Sequence, residues 1–209
     1  SPSNYAYQGD PGHSEQGRAF VFDRIGSDWV RVARLTADAG LPRAEAAYEA
    51  SNGAHFGAAV ALDSQYVVVG APDRDGSSLN TGDAYVFYEL EDGTTGSNRS
   101  SWARSSGGPG SGRLNAAAPA ENDRFGQAVA LSNNRLVVGI PGFNETDLGA
   151  VRTFTTSGTV PDIWSYSATS LAAEKIWNPS SPSLTKFAGV THYDPDSRTL
   201  FVGDPQRGK

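Results

Sequence analysis

Asp73-Arg74-Asp75-Gly76 comes closest to metal chemistry in this chain, because alternating carboxylates ahead of a glycine open many calcium loops, and Asp83 follows a short way on. The arginine between the carboxylates and the missing bidentate glutamate oppose that use. Asp73 and Asp75 are therefore read as parts of a structural turn, with calcium as the weaker reading and no cofactor expected. Asp194-Pro195-Asp196-Ser197 is read as a hairpin turn, since Asp and Pro favour turns for backbone reasons. His13, His55 and His192 are separated from one another and from any carboxylate cluster in sequence. Neither a Gly-x-Ser-x-Gly elbow nor a His-Glu-x-x-His helix occurs, so no catalytic residue is expected in this segment. Trp29 and Trp164, with Tyr166, could stack on a sugar ring, but tryptophans at a shared phase are first read as packing between sheets. Asn98-Arg99-Ser100 and Asn144-Glu145-Thr146 are acceptor sequons for N-glycans in polar, exposed stretches, whereas proline disqualifies Asn178-Pro179-Ser180.

The elements that must carry these residues recur. Gly9-Asp10-Pro11, Gly70-Ala71-Pro72, Gly139-Ile140-Pro141 and Gly203-Asp204-Pro205 are copies of one Gly-x-Pro signal, with glycines 61, 69 and 64 residues apart. Phe56-Gly57 and Phe125-Gly126 stand with their phenylalanines 14 residues before the second and third glycines, and Phe187-Ala188-Gly189 precedes the fourth. Two further landmarks keep this phase: the strand openings Gly17 to Phe22, Gly82 to Phe87 and Gly149 to Phe154, then Trp29, Trp102 and Trp164. Periods of this length mark repeat architectures.

Within the best-preserved unit, Gly57 to Leu62 reads as a strand whose Ala58, Ala59 and Ala61 allow neighbouring sheets to approach. Asp63-Ser64-Gln65 reads as a tight turn, and Tyr66 to Val69 as a strand buried on both faces that proline ends at Pro72. Ala84 to Leu90 is a third strand, and in the first unit Trp29 to Leu35 a fourth, with one wet face marked by Arg31 and Arg34. The reading is all-β: four antiparallel strands per unit, as in a propeller blade, with about three blades visible. Glu91 to Gly112, rich in Gly, Ser and Thr, reads as a long exposed loop or disordered insertion anchored by Trp102 alone, and Arg43 to Ala50 as one or two helical turns. Neither breaks residues 1–209 into separate domains.

Composition sets the outer limits. A chain of 209 residues with 24 Gly, 12 Pro and 38% hydrophobic residues suits short strands and many turns. Its net charge of −6 is scattered without basic blocks, which argues against nucleic acid as a partner. No apolar run approaches the roughly 20 residues of a membrane-spanning helix. Without cysteine there can be no disulfide or thiolate site, and without methionine Ser1 is expected to belong to a processed product or a segment of something longer.

Phe56-Gly57-Ala58-Ala59-Val60-Ala61-Leu62 running to Val69-Gly70-Ala71-Pro72 resembles the FG-GAP repeat, the blade unit of integrin α-subunit-like β-propellers. Phe125-Gly126 to Gly139-Ile140-Pro141 matches nearly as well, while the copy at Phe187 to Pro205 is degenerate. The resemblance implies a calcium loop between the first two strands of a blade. Asp63-Ser64-Gln65 and Ser132-Asn133-Asn134-Arg135 are too short and too poor in carboxylates for one, which makes this the short-hairpin variant. By resemblance the chain is expected to be part of an extracellular or cell-surface propeller, an adhesion or assembly scaffold that binds protein or glycan partners. A carbohydrate-binding propeller and an accessory propeller of a secreted hydrolase are the alternatives. Three blades cannot enclose an axis, so further blades or other copies are expected to complete the ring.

Overall fold

The computed structural model describes residues 17–38, 53–63, 66–90, 101–104, 112–133, 135–143, 149–155, 165–166, 190–194 and 199–203. These residues form thirteen strands, every pairing between them antiparallel. A first sheet pairs β1 (Ala19–Ile25) with β2 (Asp28–Leu35). The second runs in the order β3 (Ala59–Asp63), β4 (Tyr66–Ala71), β5 (Asp83–Leu90), β6 (Ser101–Arg104), with β7 (Arg113–Leu114) also on β5. A third runs in the same order from β8 (Val129–Ser132) through β9 (Arg135–Ile140) and β10 (Ala150–Thr155) to β11 (Ser165–Tyr166). The hairpin of β12 (Val190–Asp194) and β13 (Thr199–Gly203) is the fourth. The second and third sheets are four-strand blades. β1–β2 matches the last two strands of a blade, and β12–β13 the first two.

The constant spacing of Phe-Gly and Gly-x-Pro is the length of one hairpin. Ala59 pairs with Gly70 and Asp63 with Tyr66, and the Gly57 N–H donates to the Gly70 carbonyl at 3.0 Å. Gly126 repeats this bond to Gly139 at 3.1 Å. The Phe-Gly pair therefore closes the open end of the hairpin, and any change in strand length would break that closure.

β4 is buried at every position, as its unbroken apolar sequence requires. One face turns Val67, Val69 and Ala71 towards Ala19, Val21 and Leu35 of the first blade, with Phe56, Tyr85 and Phe87 in the same cluster. The other turns Tyr66 and Val68 towards Val129, Leu136 and Val138 of the third, around Phe125 and Phe154. Each phenylalanine of a Phe-Gly pair meets its own blade's third strand edge-on: Phe56 lies 6.2 Å from Phe87, and Phe125 lies 6.1 Å from Phe154. Burying a Val or Phe fully is worth roughly 1.5–3 kcal/mol, so these two seams are the main cohesive force of the array.

Between blades the main chains touch. Gly17 bridges to Phe56 and Gly82 to Phe125 as isolated parallel pairs, the glycine that opens one blade's third strand meeting the phenylalanine of the next blade. A Cβ on Gly82 would stand 2.3 Å from the Phe125 carbonyl oxygen, and one on Gly70 would stand 2.0 Å from that of Gly126. The small residues at this phase are thus required by backbone contact between blades.

Within Glu91 to Gly112, expected as a long exposed loop or insertion, residues 101–104 are a strand. Ser101–Arg104 forms β6, paired from Phe87↔Arg104 to Leu90↔Ser101, and β7 continues along the same edge with Ala84↔Leu114. In the first blade a single strand, β2, spans both positions, because Leu35 pairs with Ala19 and Arg31 with Phe22. The polar stretch is thus an insertion within the fourth strand, and Trp102 packs against the core at the phase where Trp29 sits in the first blade. The expected helical turns at Arg43 to Ala50 lie outside the described residues.

Candidate functional site

The residues with chemical potential gather where β4 leaves the sheet and β5 enters it, at the end of the blades that also holds the Phe-Gly pairs. Asp73 stands at the seam between two blades. Nδ1 of His55, from its own blade, donates to Asp73 Oδ2 at 2.7 Å, and Nε of Arg124, from the next blade, lies 3.2 Å from Oδ1. His55 and Arg124 are equivalent, each directly preceding the phenylalanine of a Phe-Gly pair, and both hold φ in the left-handed region, at 50° and 55°. Asn80 (φ 50°) and Asn122 (φ 61°) meet across the same seam, the Asn80 amide donating to Asn122 Oδ1 at 2.9 Å. Left-handed backbone at non-glycine residues costs about 1–2 kcal/mol each and persists only where the surroundings impose it. Main-chain bonds impose it here: Asn122, Arg124 and Phe125 donate their N–H groups to the carbonyls of Leu79, Asn80 and Thr81.

Beneath this surface the loop from Pro72 to Gly82 is fixed by a buried ion pair. Arg74 Nη1 lies 2.7 Å from Asp83 Oδ2, with both side chains 2% exposed, and Arg113 Nε approaches the same oxygen at 3.8 Å. Asp75 accepts the backbone N–H of Asn80 at 2.9 Å, folding the loop back on itself. Asp73, Asp75 and Asp83 therefore turn to three separate tasks: the seam, the loop and the buried pair. Among the described residues no three His, Asp or Glu side chains gather as a metal-ligand set.

Asp123 adds a group that no sequence feature announced. It is fully buried, its Oδ2 accepts the Ala120 N–H at 2.8 Å, and its Oδ1 has no hydrogen-bond partner. Burial raises its pKa above the usual carboxylate value, opposed by the Ala120 hydrogen bond and the charge of Arg152. At the opposite end of the blades the Asn133 N–H donates to Asp63 Oδ2 at 2.5 Å, joining neighbouring hairpin turns. The seam between the second and third blades is thus tied at both ends by polar contacts and filled with apolar side chains between them.

The remaining sequence candidates scatter. Trp29 is on β2 and 68% exposed, Tyr166 is on β11 paired with Phe154, and Trp164 lies outside the described residues. His192 is on β12, paired with Phe201 in the fourth sheet, and His13, Asn98 and Asn144 lie outside the described residues, as do Pro195, Asp196 and Ser197. Sequence reasoning missed the pairing of His55 and Arg124 on Asp73. The available signal was their shared position ahead of Phe-Gly.

No helix among the described residues is long and apolar enough to cross a membrane. No curated protein matches the chain. The family described as the FG-GAP repeat matches residues 46–87 and 111–154. Each matched stretch holds the Phe-Gly pair, first hairpin and third strand of one blade, so residues 46–87 and 111–154 are each similar to an FG-GAP repeat, in agreement with blades of the β-propeller type.

Proposed function

We propose that the chain works as an extracellular or cell-surface binding and assembly module, without chemistry of its own, and that the polar blade end around Asp73 is the surface it presents. The observation that carries this reading is the way two successive blades lock their loops side by side, through His55, Asp73 and Arg124 and through Asn80 and Asn122. Loops held on a rigid scaffold are where binding surfaces concentrate. Leu79, 59% exposed, stands in this loop beside the exposed Asp75, an apolar residue rimmed by polar ones as at an interaction site.

The test uses the full-length protein displayed on beads and offered to cells or matrix from its source. Adhesion that falls at least tenfold in a Leu79→Asp, Asp75→Arg variant with unchanged circular dichroism supports the reading, and adhesion unaffected by that change refutes it. For the location, glycan mass on Asn98 or Asn144 of the native protein is expected. A native protein in a reducing compartment with both asparagines bare would overturn it.

A further inference from the structure

The first blade has an open strand edge with an apolar pair beside it. In the second and third blades the strand equivalent to β1 is paired on both sides, β5 by β4 and β6, and β10 by β9 and β11. Among the described residues β1 is paired by β2 alone. A free sheet edge is a ready template for a further strand. On the second blade Val60 and Leu62 are 61% and 63% exposed, whereas their equivalents on the third, Val129 and Leu131, pack in the cluster that holds Tyr66 and Val68 of the blade in front. What Val60 and Leu62 lack, among the described residues, is the strand that would present the matching side chains from the first blade.

Residues 1–16, outside the described ones, hold a sequence suited to that place. Asn4-Tyr5-Ala6-Tyr7-Gln8-Gly9 leads into a Gly-x-Pro signal as Gln65-Tyr66-Val67-Val68-Val69-Gly70 does, with tyrosine at the same point. Carrying over the β4–β5 register sets Asp10 opposite Arg18, Gly9 opposite Ala19 and Gln8 opposite Phe20. Strand alternation then turns Tyr5 and Tyr7 to the side of Val60 and Leu62, as Tyr66 and Val68 are turned to Val129. Charge agrees with this register. The pairs Phe20↔Arg34 and Tyr85↔Arg113 put Arg34 at the place of Arg113, and so Arg18 at the place of the buried Asp83. Arg18 and Arg34 line one cleft of about 560 Å³. Where the second blade sets a carboxylate between arginines, the first thus has two cations, and Asp10 supplies the missing carboxylate from the neighbouring strand.

We propose that residues 4–10 dock on β1 as the second strand of the first blade, with Tyr5 and Tyr7 covering Val60 and Leu62 and Asp10 as the counter-ion of Arg18 and Arg34. Residues 11–17 make the return to β1. That connection is shorter than residues 72–82 of the second blade, yet ample, because antiparallel neighbours are joined by as few as about two residues. The apolar pair on the second blade is then part of a closed seam and is not a docking surface for another protein. Phe20 and Phe22 lie on the other face of the sheet, which this strand leaves as it is.

The chain has no cysteine, so introduced thiols report without interference. Full-length protein carrying Gln8→Cys with Phe20→Cys is expected to close a disulfide within single chains on mild oxidation, because directly opposed residues stand within disulfide reach. Gln8→Cys with Phe22→Cys, two residues out of register, is expected to close at least tenfold more slowly. Separately, Leu62→Cys is expected to react with a thiol reagent at least tenfold more slowly than Leu79→Cys, and Tyr5→Ser with Tyr7→Ser to restore the fast rate while circular dichroism stays unchanged. Equal closure of the two cysteine pairs, closure of neither, or fast labelling of Leu62→Cys with both tyrosines in place overturns the proposal. Slow labelling that the tyrosine substitutions leave unchanged overturns it as well, since something other than this strand then covers Leu62. The disulfide pair decides the matter if the tyrosine variant fails to fold.

Discussion

Asp83 faces two arginines in a place where water does not reach, and the third blade shows the alternative. There the positions of Arg74 and Asp83 are taken by Phe143 and Ala150, both buried. Breaking a buried pair strands a charge at a cost of about 3–5 kcal/mol, while replacing both partners with apolar groups is often close to neutral. Arg74→Phe alone is therefore expected to lower stability by about that amount, and Arg74→Phe with Asp83→Ala to recover most of it, as read from urea unfolding in a double-mutant cycle. Asp123 predicts a pH effect. Its pKa is raised in the folded protein, chiefly by burial, so the folded state favours the protonated form. The associated stability is present below the unfolded carboxylate pKa and lost as pH rises through the folded one. Asp123→Asn keeps an oxygen for the Ala120 N–H without the buried charge. It is expected to raise the melting temperature at pH 7, with the gain shrinking as pH falls into the ordinary carboxylate range.

At the scale of elements, the seams depend on backbone approach, which separates two kinds of glycine. Gly82 (φ 75°) lies against Phe125, whereas Gly26 (φ 65°), in the β1–β2 turn, has nothing within 4 Å of a built Cβ. Gly26→Ala is expected to cost about 1–2 kcal/mol, the price of left-handed backbone alone. Gly82→Ala must in addition push two blades apart, and the variant is expected to be mostly unfolded or insoluble at the temperature where Gly26→Ala is still folded. The fourth strand of the second blade offers a constructive test. The first blade spans Arg31 to Arg34 with Val32-Ala33, where the second spans Arg104 to Arg113 with an insertion. Replacing residues 105–112 by Val-Ala is expected to fuse β6 and β7 into one strand and to leave the melting temperature unchanged or higher. The hairpins were legible in the sequence because their signals are local: an apolar run between a turn and a Gly-x-Pro. β6 was not, since Ser101-Trp102-Ala103-Arg104 lies among Gly and Ser, and only pairing with Phe87 to Leu90 makes it a strand. The Asp73 seam was illegible for the same reason, its partners His55 and Arg124 coming from two blades.

Across the whole molecule, protection follows the number of neighbours a blade has. β4 and β5 lie between two filled seams, and β9 shares the second of them. The face of β1 that carries Phe20 and Phe22 is exposed. Repeat arrays gain stability from nearest-neighbour contacts, so amide exchange in a single chain is expected to be slowest in β4, β5 and β9 and faster in β1 and β2. Equal protection of β1–β2 and β4–β5 would mean that the outer face of the first blade is already covered.

The Gly82–Phe125 contact has a consequence for how such a chain can change. A joint formed by peptide groups and a missing side chain does not discriminate among the side chains elsewhere on the blades it connects. Blades with an ion pair or an aromatic ring at the same place, like Arg74 and Phe143, are interchangeable neighbours so long as the glycine and the phenylalanine are kept. Whole units can then be duplicated, lost or reordered without redesigning the seam, and the loops at the blade ends can drift in sequence while the spacing between them is held constant.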